Sequence, residues 1–164
     1  MKYFILTFLA ACCVGIGYIF SLKYRRRATF FKTLVMLCQK IDLEINYSRE
    51  RLRNLLKNFD DKTKKNLHGL DKNFIAYLEN NTQLEEASLF KNINFLKQNE
   101  KDLIMLFFKS LGRSDLASQS QELKNYEKRF EELSNGATGE NKKYGSLSIK
   151  LGIVAGLAVV VLFI

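Results

Sequence analysis

Two uncharged apolar runs, one near each end of the 164 residues, constrain this chain more than any other feature. No charged side chain occurs from Tyr3 to Phe20, and none from Leu151 to Ile164. At about 1.5 Å per helical residue the first run spans roughly 27 Å, close to the hydrocarbon thickness of a bilayer. The second spans roughly 21 Å by the same rise. It reaches spanning length if it starts near Tyr144 or Leu147 and Lys150 snorkels to the headgroups. Lipid offers no water to pair with backbone polar groups, so both runs are expected as helices.

Basic residues set the orientation. Lys2 alone precedes the first run, whereas Lys23, Arg25, Arg26, Arg27 and Lys32 follow it. Lys142, Lys143 and Lys150 precede the second run, and nothing basic follows it. The positive-inside rule therefore predicts a cytosolic central region with both termini outside. With Lys2 set aside, the formal charge of +9 leaves +8 on the interior, and such a region is expected to be drawn to an anionic leaflet. The expected division is a transmembrane helix at 1–22, a cytosolic helical bundle at 23–143 and a C-terminal transmembrane helix at 144–164.

The first run has rival readings. A short basic start before an apolar stretch also fits a cleaved signal peptide. Leu9-Ala10-Ala11-Cys12 resembles a bacterial lipobox, which would make Cys12 an acylated residue and the protein an exported lipoprotein with a helical interaction domain. The apolar run continues well past Cys12, and the Arg25-Arg26-Arg27 cluster would then have to be exported, so a signal anchor is preferred.

The middle reads as all-α. It has no proline, and no glycine interrupts the chain between residues 18 and 68. Phe31, Leu34, Cys38, Ile41, Ile45, Ser48, Leu52, Leu55 and Phe59 recur three and four apart, a heptad seam broken only by Ser48. One helix is expected to run out of the first span and end near Asn58–Asp61. Cys38 then reads as a core thiol. Residues 60–73 form a polar connection in which His68 is a solvated loop or helix-end residue. A short helix is expected around Asn73–Glu79, its face carrying Phe74, Ile75 and Leu78, with Asn80-Asn81 breaking it.

Thr82 and Glu85 fit a capping box for a helix whose apolar face is Leu84, Ala87, Leu89, Phe90, Ile93 and Leu96. After a polar gap at Lys97–Lys101, the stretch from Leu103 to Leu111 is apolar nearly all round and is expected as a buried central helix. Gly112 would end it, and Ser114 or Asp115 would cap the next. That last helix carries Leu116, Leu123, Tyr126, Phe130 and Leu133, and Ala137, Tyr144 and Leu147 continue its frame into the second span. Gly136 and Gly139 make a bend or frayed turn plausible there, although a single unbroken helix is also compatible.

Sites of chemistry are not apparent. One histidine and three scattered cysteines give no metal-ligand spacing, and no nucleophile–base constellation or phosphate-cradling loop occurs. Glu85-Glu86 and Glu131-Glu132 are adjacent on helices, so their side chains diverge. No enzyme, cofactor or small-molecule substrate is expected. The basic residues Arg49, Arg51, Arg53, Lys57, Lys62, Lys64 and Lys65 are interleaved with Glu50, Asp60 and Asp61 and lack aromatic interleaving. A membrane-tethered nucleic-acid binder is thus the lesser reading. An interaction protein in a membrane is the greater one.

Three segments carry a resemblance. They are Leu37-Cys38-Gln39-Lys40-Ile41-Asp42-Leu43-Glu44-Ile45-Asn46-Tyr47, Leu111-Gly112-Arg113-Ser114-Asp115-Leu116-Ala117-Ser118-Gln119, and the tail from Tyr144 to Leu157 with Leu151-Gly152 and Ala155-Gly156-Leu157. In order and spacing the whole chain resembles the stage III sporulation protein AB family. It departs from the family at Arg51-Leu52, where a Pro-Leu is usual, and at Asn135-Gly136-Ala137-Thr138-Gly139, where the final helix usually lacks glycine.

The resemblance implies a subunit of the secretion-like complex that joins mother cell and forespore, residing in the outer forespore membrane. Its soluble part would be similar to the helical domains of type II secretion and type IV pilus platform proteins. The implied partners are the cytosolic ATPase stage III sporulation protein AA, other channel-complex subunits and membrane lipids. Glu44, Tyr47, Gly112, Arg113 and Asp115 are the candidate docking residues.

Overall fold

A computed structural model describes residues 2–47, 52–80, 84–111 and 116–163. Every regular element among them is helical. In chain order these are α1 (Lys2–Tyr47), α2 (Leu52–Lys57), α3 (Asp61–Asn66), α4 (Leu70–Asn80), α5 (Glu86–Leu89), α6 (Gln98–Ser110), α7 (Leu116–Glu140), a π-helical turn (Asn141–Gly145) and α8 (Ser146–Phe163). The chain divides into two units. Unit 1 comprises Met1–Ala28 with Asn135–Ile164, and unit 2 comprises Thr29–Ser134.

Unit 2 is built around aromatic rings. Phe30, Phe31, Leu34, Leu37, Cys38 and Ile41 of α1 are all buried. The expected seam is therefore present from Phe31 to Ile41, widened by its flanking positions into the broad stripe of a helix that contacts several neighbours. Burial, and then the Glu127 carboxylate, push the Cys38 thiol well above its ordinary value. Phe107 of α6 lies edge-on to Phe130 and Tyr126 of α7, each at 5.3 Å between ring centroids. Phe108, its neighbour, meets Phe74 of α4 at 4.3 Å.

Several local expectations are revised. The helix expected to run from the first span to Asn58–Asp61 is described to Tyr47 and again over α2, and residues 48–51 lie outside the described residues. The polar connection contains a full short helix, α3, because Asp60 caps it. One Asp60 oxygen accepts from the Thr63 N–H at 3.0 Å and the other from the Thr63 hydroxyl at 2.5 Å. These bonds hold the Asp60 carboxyl below its usual range. His68 does sit at a helix end. With Gly69 it has positive φ, 53° and 88°, which reverses the chain into α4. α4 starts earlier than expected, at Leu70, and Leu78 faces solvent while Leu70 and Phe74 are buried.

The helix expected after Thr82 shrinks to the single turn of α5. Thr82 lies outside the described residues. Glu85, assigned the third helical position of a capping box, is itself the residue flanking the helix, in extended conformation. Leu84, Leu89, Phe90 and Ile93 are buried as expected, but from a turn-rich segment. Phe95, unassigned from sequence, is buried there and meets Phe30 edge-on at 5.5 Å. Asn73 of α4 secures this segment by donating to the Leu89 carbonyl at 3.0 Å.

The polar stretch before Leu103 is the first turn of α6. There the buried Glu100 accepts from the Lys97 N–H at 2.9 Å, which satisfies a donor left open at the helix start. α6 is not buried all round. Ile104, Phe107 and Phe108 face inward, and Leu106 is 57% exposed.

Unit 1 is an antiparallel pair of helices, the N-terminal part of α1 against the π turn and α8. The order of contacts fixes the direction. Arg27 pairs with Glu140, and the rings of Tyr24 and Tyr144 lie 5.9 Å apart. Further along, Gly17 meets Ser148 and Gly152, and Ala10 meets Gly156. Away from this contact the side chains point outward: Phe4 is 85% exposed, Phe8 70% and Val161 76%. Both helices are long and apolar enough to cross a membrane.

Candidate functional site

Two surfaces have the geometry of contact sites. One is the seam inside unit 1. Where lipid surrounds both helices, their association depends on van der Waals packing, which small residues allow at close range. A Cβ on Gly17 would lie 2.5 Å from the Ser148 carbonyl oxygen, and one on Gly152 would lie 2.9 Å from that of Cys13. No side chain fits at either place. Gly152 and Gly156 form a Gly-x-x-x-Gly pair that faces Ala10, Cys13, Val14 and Gly17.

The π turn sets this seam. Leu123, Phe130 and Ala137 are buried at intervals of seven, and the same frame would bury Tyr144. Tyr144 and Leu147 are instead exposed, while Gly145, Gly152 and Gly156 are buried. A π turn accommodates one residue more than an α turn. The frame slips by one, so Gly145, Gly152 and Gly156 are buried against α1 and Tyr144 is left at the rim, its ring beside Tyr24. The expected continuation through Tyr144 and Leu147 is corrected for that reason. Gly136 and Gly139 lie within α7, so the irregularity falls just beyond them.

The second surface lies in unit 2, on the C-terminal part of α1. Ser120 of α7 donates to Asp42 at 2.6 Å, and Gln39 donates to Glu127 at 2.7 Å. These bonds bring the start of α7 beside the end of α1. Glu44 is half-buried two residues beyond Asp42. Tyr47 is the last described residue of α1, its side chain outside the described set, and Gly112, Arg113 and Asp115 lie outside the described residues.

Two apolar residues missed in the sequence share this stretch of α1. Met36 is 50% and Leu43 58% exposed, and they stand seven residues apart on one face. Both stand off the buried frame of α1, which only the burial of its neighbours defines.

Elsewhere in unit 2, shallow clefts lie beside Asp71 and beside Glu122. The first is rimmed by a Lys57–Glu79 ion pair at 3.0 Å. Glu86 bonds to Gln98 and Lys101, and these contacts hold its carboxyl below the usual range. Among the described residues no group of three or more His, Cys, Asp or Glu side chains is arranged to hold a metal ion.

The architecture defines a class: an all-helical protein in which an antiparallel, glycine-packed pair of apolar helices accompanies an aromatic-cored helical unit, compatible with a membrane protein. The chain belongs to the stage III sporulation protein AB family, whose model matches residues 2–164. Membership implies a role in sporulation. No curated protein and no solved structure matches the chain significantly.

Proposed function

We propose that this protein is a membrane-anchored platform subunit of the mother cell–forespore secretion-like channel complex and that it docks the cytosolic ATPase of that complex. The observation that carries this reading is the family match over the whole chain. The antiparallel pair in unit 1 supports it, because two antiparallel spans return the chain to the side it left. On this reading unit 2 lies in the mother-cell cytosol with both termini across the outer forespore membrane, the side favoured by the basic flanks of the two apolar runs, and its role is docking. The proposed contacts are Glu44 and Tyr47 at the end of α1, with Met36 and Leu43 as an apolar flank on that helix, together with Gly112, Arg113 and Asp115, which precede α7 in sequence.

Glu44→Lys tests this face. Reversing a charge within such an interface costs about 2–5 kcal/mol, more than tenfold in Kd. Co-purification of stage III sporulation protein AA with the variant is expected to fall to background, while helical content and membrane association stay unchanged. Undiminished co-purification rejects Glu44 as a contact. Failure of the unaltered protein to retain the ATPase rejects the platform role.

A further inference from the structure

Positive charge is distributed unevenly between the two units. Of the chain's 26 Lys and Arg and 17 Asp and Glu, unit 1 holds eight and one, which leaves unit 2 with 18 and 16. The aromatic-cored unit is therefore close to neutral, and most of the chain's net +9 belongs to the helical pair. This relocates the attraction to anionic lipid expected of the central region. Within unit 1 the one acidic side chain, Glu140, pairs with the buried Arg27.

Four of the unit 1 cations are gathered at one level, and the exposed Lys150 lies further along α8. The Tyr24–Tyr144 contact and the Arg27–Glu140 pair set Lys23 and Arg26 of α1 level with Lys142 and Lys143 of the π turn, and all four are exposed. Immediately beyond them, Ile19, Phe20, Leu147 and Leu151 are exposed apolar side chains. Two tyrosines mark the boundary, and Lys143 lies over the Tyr144 ring at 5.2 Å. Aromatic rings with polar tips favour this depth in a bilayer.

We infer that Lys23, Arg26, Lys142 and Lys143 form a collar that binds the phosphates of anionic phospholipids in the leaflet facing unit 2. The four cations match a negative headgroup layer in charge, and the apolar surface directly above them continues into the acyl region. Ammonium and guanidinium groups each donate several hydrogen bonds to phosphate oxygens. The collar gives the helical pair a lipid preference, and unit 2 contributes little to it. This inference rests on the membrane anchoring proposed above.

Native mass spectrometry of the full chain in detergent, with equimolar phosphatidylglycerol and phosphatidylcholine, reads the preference directly. The unaltered protein is expected to retain phosphatidylglycerol at least about fivefold more than phosphatidylcholine, the scale of one basic residue near an anionic surface. The variant K23Q/R26Q/K142Q/K143Q is expected to lose that preference. The variant K62Q/K65Q/K91Q/K124Q, which removes as many exposed charges from unit 2, is expected to keep it. Equal retention of the two lipids by the unaltered protein, or equal loss in both variants, overturns the collar. Carbonate extraction separates this from failure of the anchoring itself. A protein that stays in the membrane pellet yet ignores lipid charge removes the collar alone, and one released by carbonate removes both.

Discussion

Gly17→Leu is expected to separate the two apolar helices of unit 1. The Cβ alone would come within 2.5 Å of the Ser148 carbonyl oxygen, and the Gly152 Cα lies 3.2 Å away. Both neighbours are backbone, so no side chain can swing aside, and three further carbons would have to be placed beyond the Cβ. Overpacking of this kind costs about 1–3 kcal/mol and more where the backbone must move. Lipid tails solvate each helix about as well as the other helix does, so little opposes separation once close packing is lost. Cysteines placed at Tyr24 and Tyr144, whose rings lie 5.9 Å apart, and bridged by a short bis-maleimide report the pairing. Bridging is expected to fall several-fold in Gly17→Leu. A Cβ on Gly136 meets nothing within 4 Å, so Gly136→Leu is expected to leave bridging intact and to strengthen its helix by about 0.5–1 kcal/mol. Equal bridging in both variants would show that the seam does not hold the pair together.

Phe107→Ala is expected to cost unit 2 about 3–5 kcal/mol, the range for removing a buried phenylalanine ring. Phe107 is fully buried and touches the rings of Phe108, Tyr126 and Phe130. It thereby joins α6 to α7, and an emptied site would leave rings on three sides that cannot all collapse inward. Against a typical total of about 5–15 kcal/mol, the loss is large enough to leave unit 2 partly unfolded at growth temperature. The comparison is Leu106→Ala, one position away and 57% exposed, for which a change within about 0.5 kcal/mol is expected. The chain has no tryptophan, so urea melts of the full chain in detergent can follow tyrosine fluorescence, with Tyr126 in the affected cluster. Similar midpoints for the two variants would mean that the Phe107 cluster is not the core of unit 2.

The difference between these two residues was not legible in the sequence. From Leu103 to Leu111 hydrophobicity is nearly continuous, and periodicity cannot assign faces where every face is apolar. Alternating three- and four-residue spacing did reveal the inward face of α1 from Phe31 to Ile41, because polar residues outline it there. Short-range signals were weaker. Thr82 and Glu85 have the spacing of a capping box, yet the helix starts three residues later than that box implies, with Glu85 still extended. Phe95 escaped notice because it is buried from a turn, and turns have no period to read.

Charge and length carried the apolar ends from sequence to structure, but the way they pack was hidden. Gly152 and Gly156 were visible as part of a family-like tail, whereas their partner Gly17 lies more than 130 residues away. The slip introduced at Asn141–Gly145 has no sequence mark beyond the glycine that ends it. Of the proposed docking residues, Glu44 and Tyr47 fall on the described helix α1. Met36 and Leu43 needed the structure, since an exposed apolar residue is recognisable only once the buried ones are known.

The central claim is that two antiparallel spans hold unit 2 on the cytosolic side of a membrane. Cysteine accessibility at Lys62→Cys, an exposed position of α3, tests it most directly. Cys12 and Cys13 would be changed to serine and the buried Cys38 to alanine, and the protein expressed in the plasma membrane of a non-sporulating bacterial host. A membrane-impermeant maleimide is then added to spheroplasts before and after permeabilisation. Labelling only after permeabilisation is the predicted result, and labelling of intact spheroplasts would contradict the account.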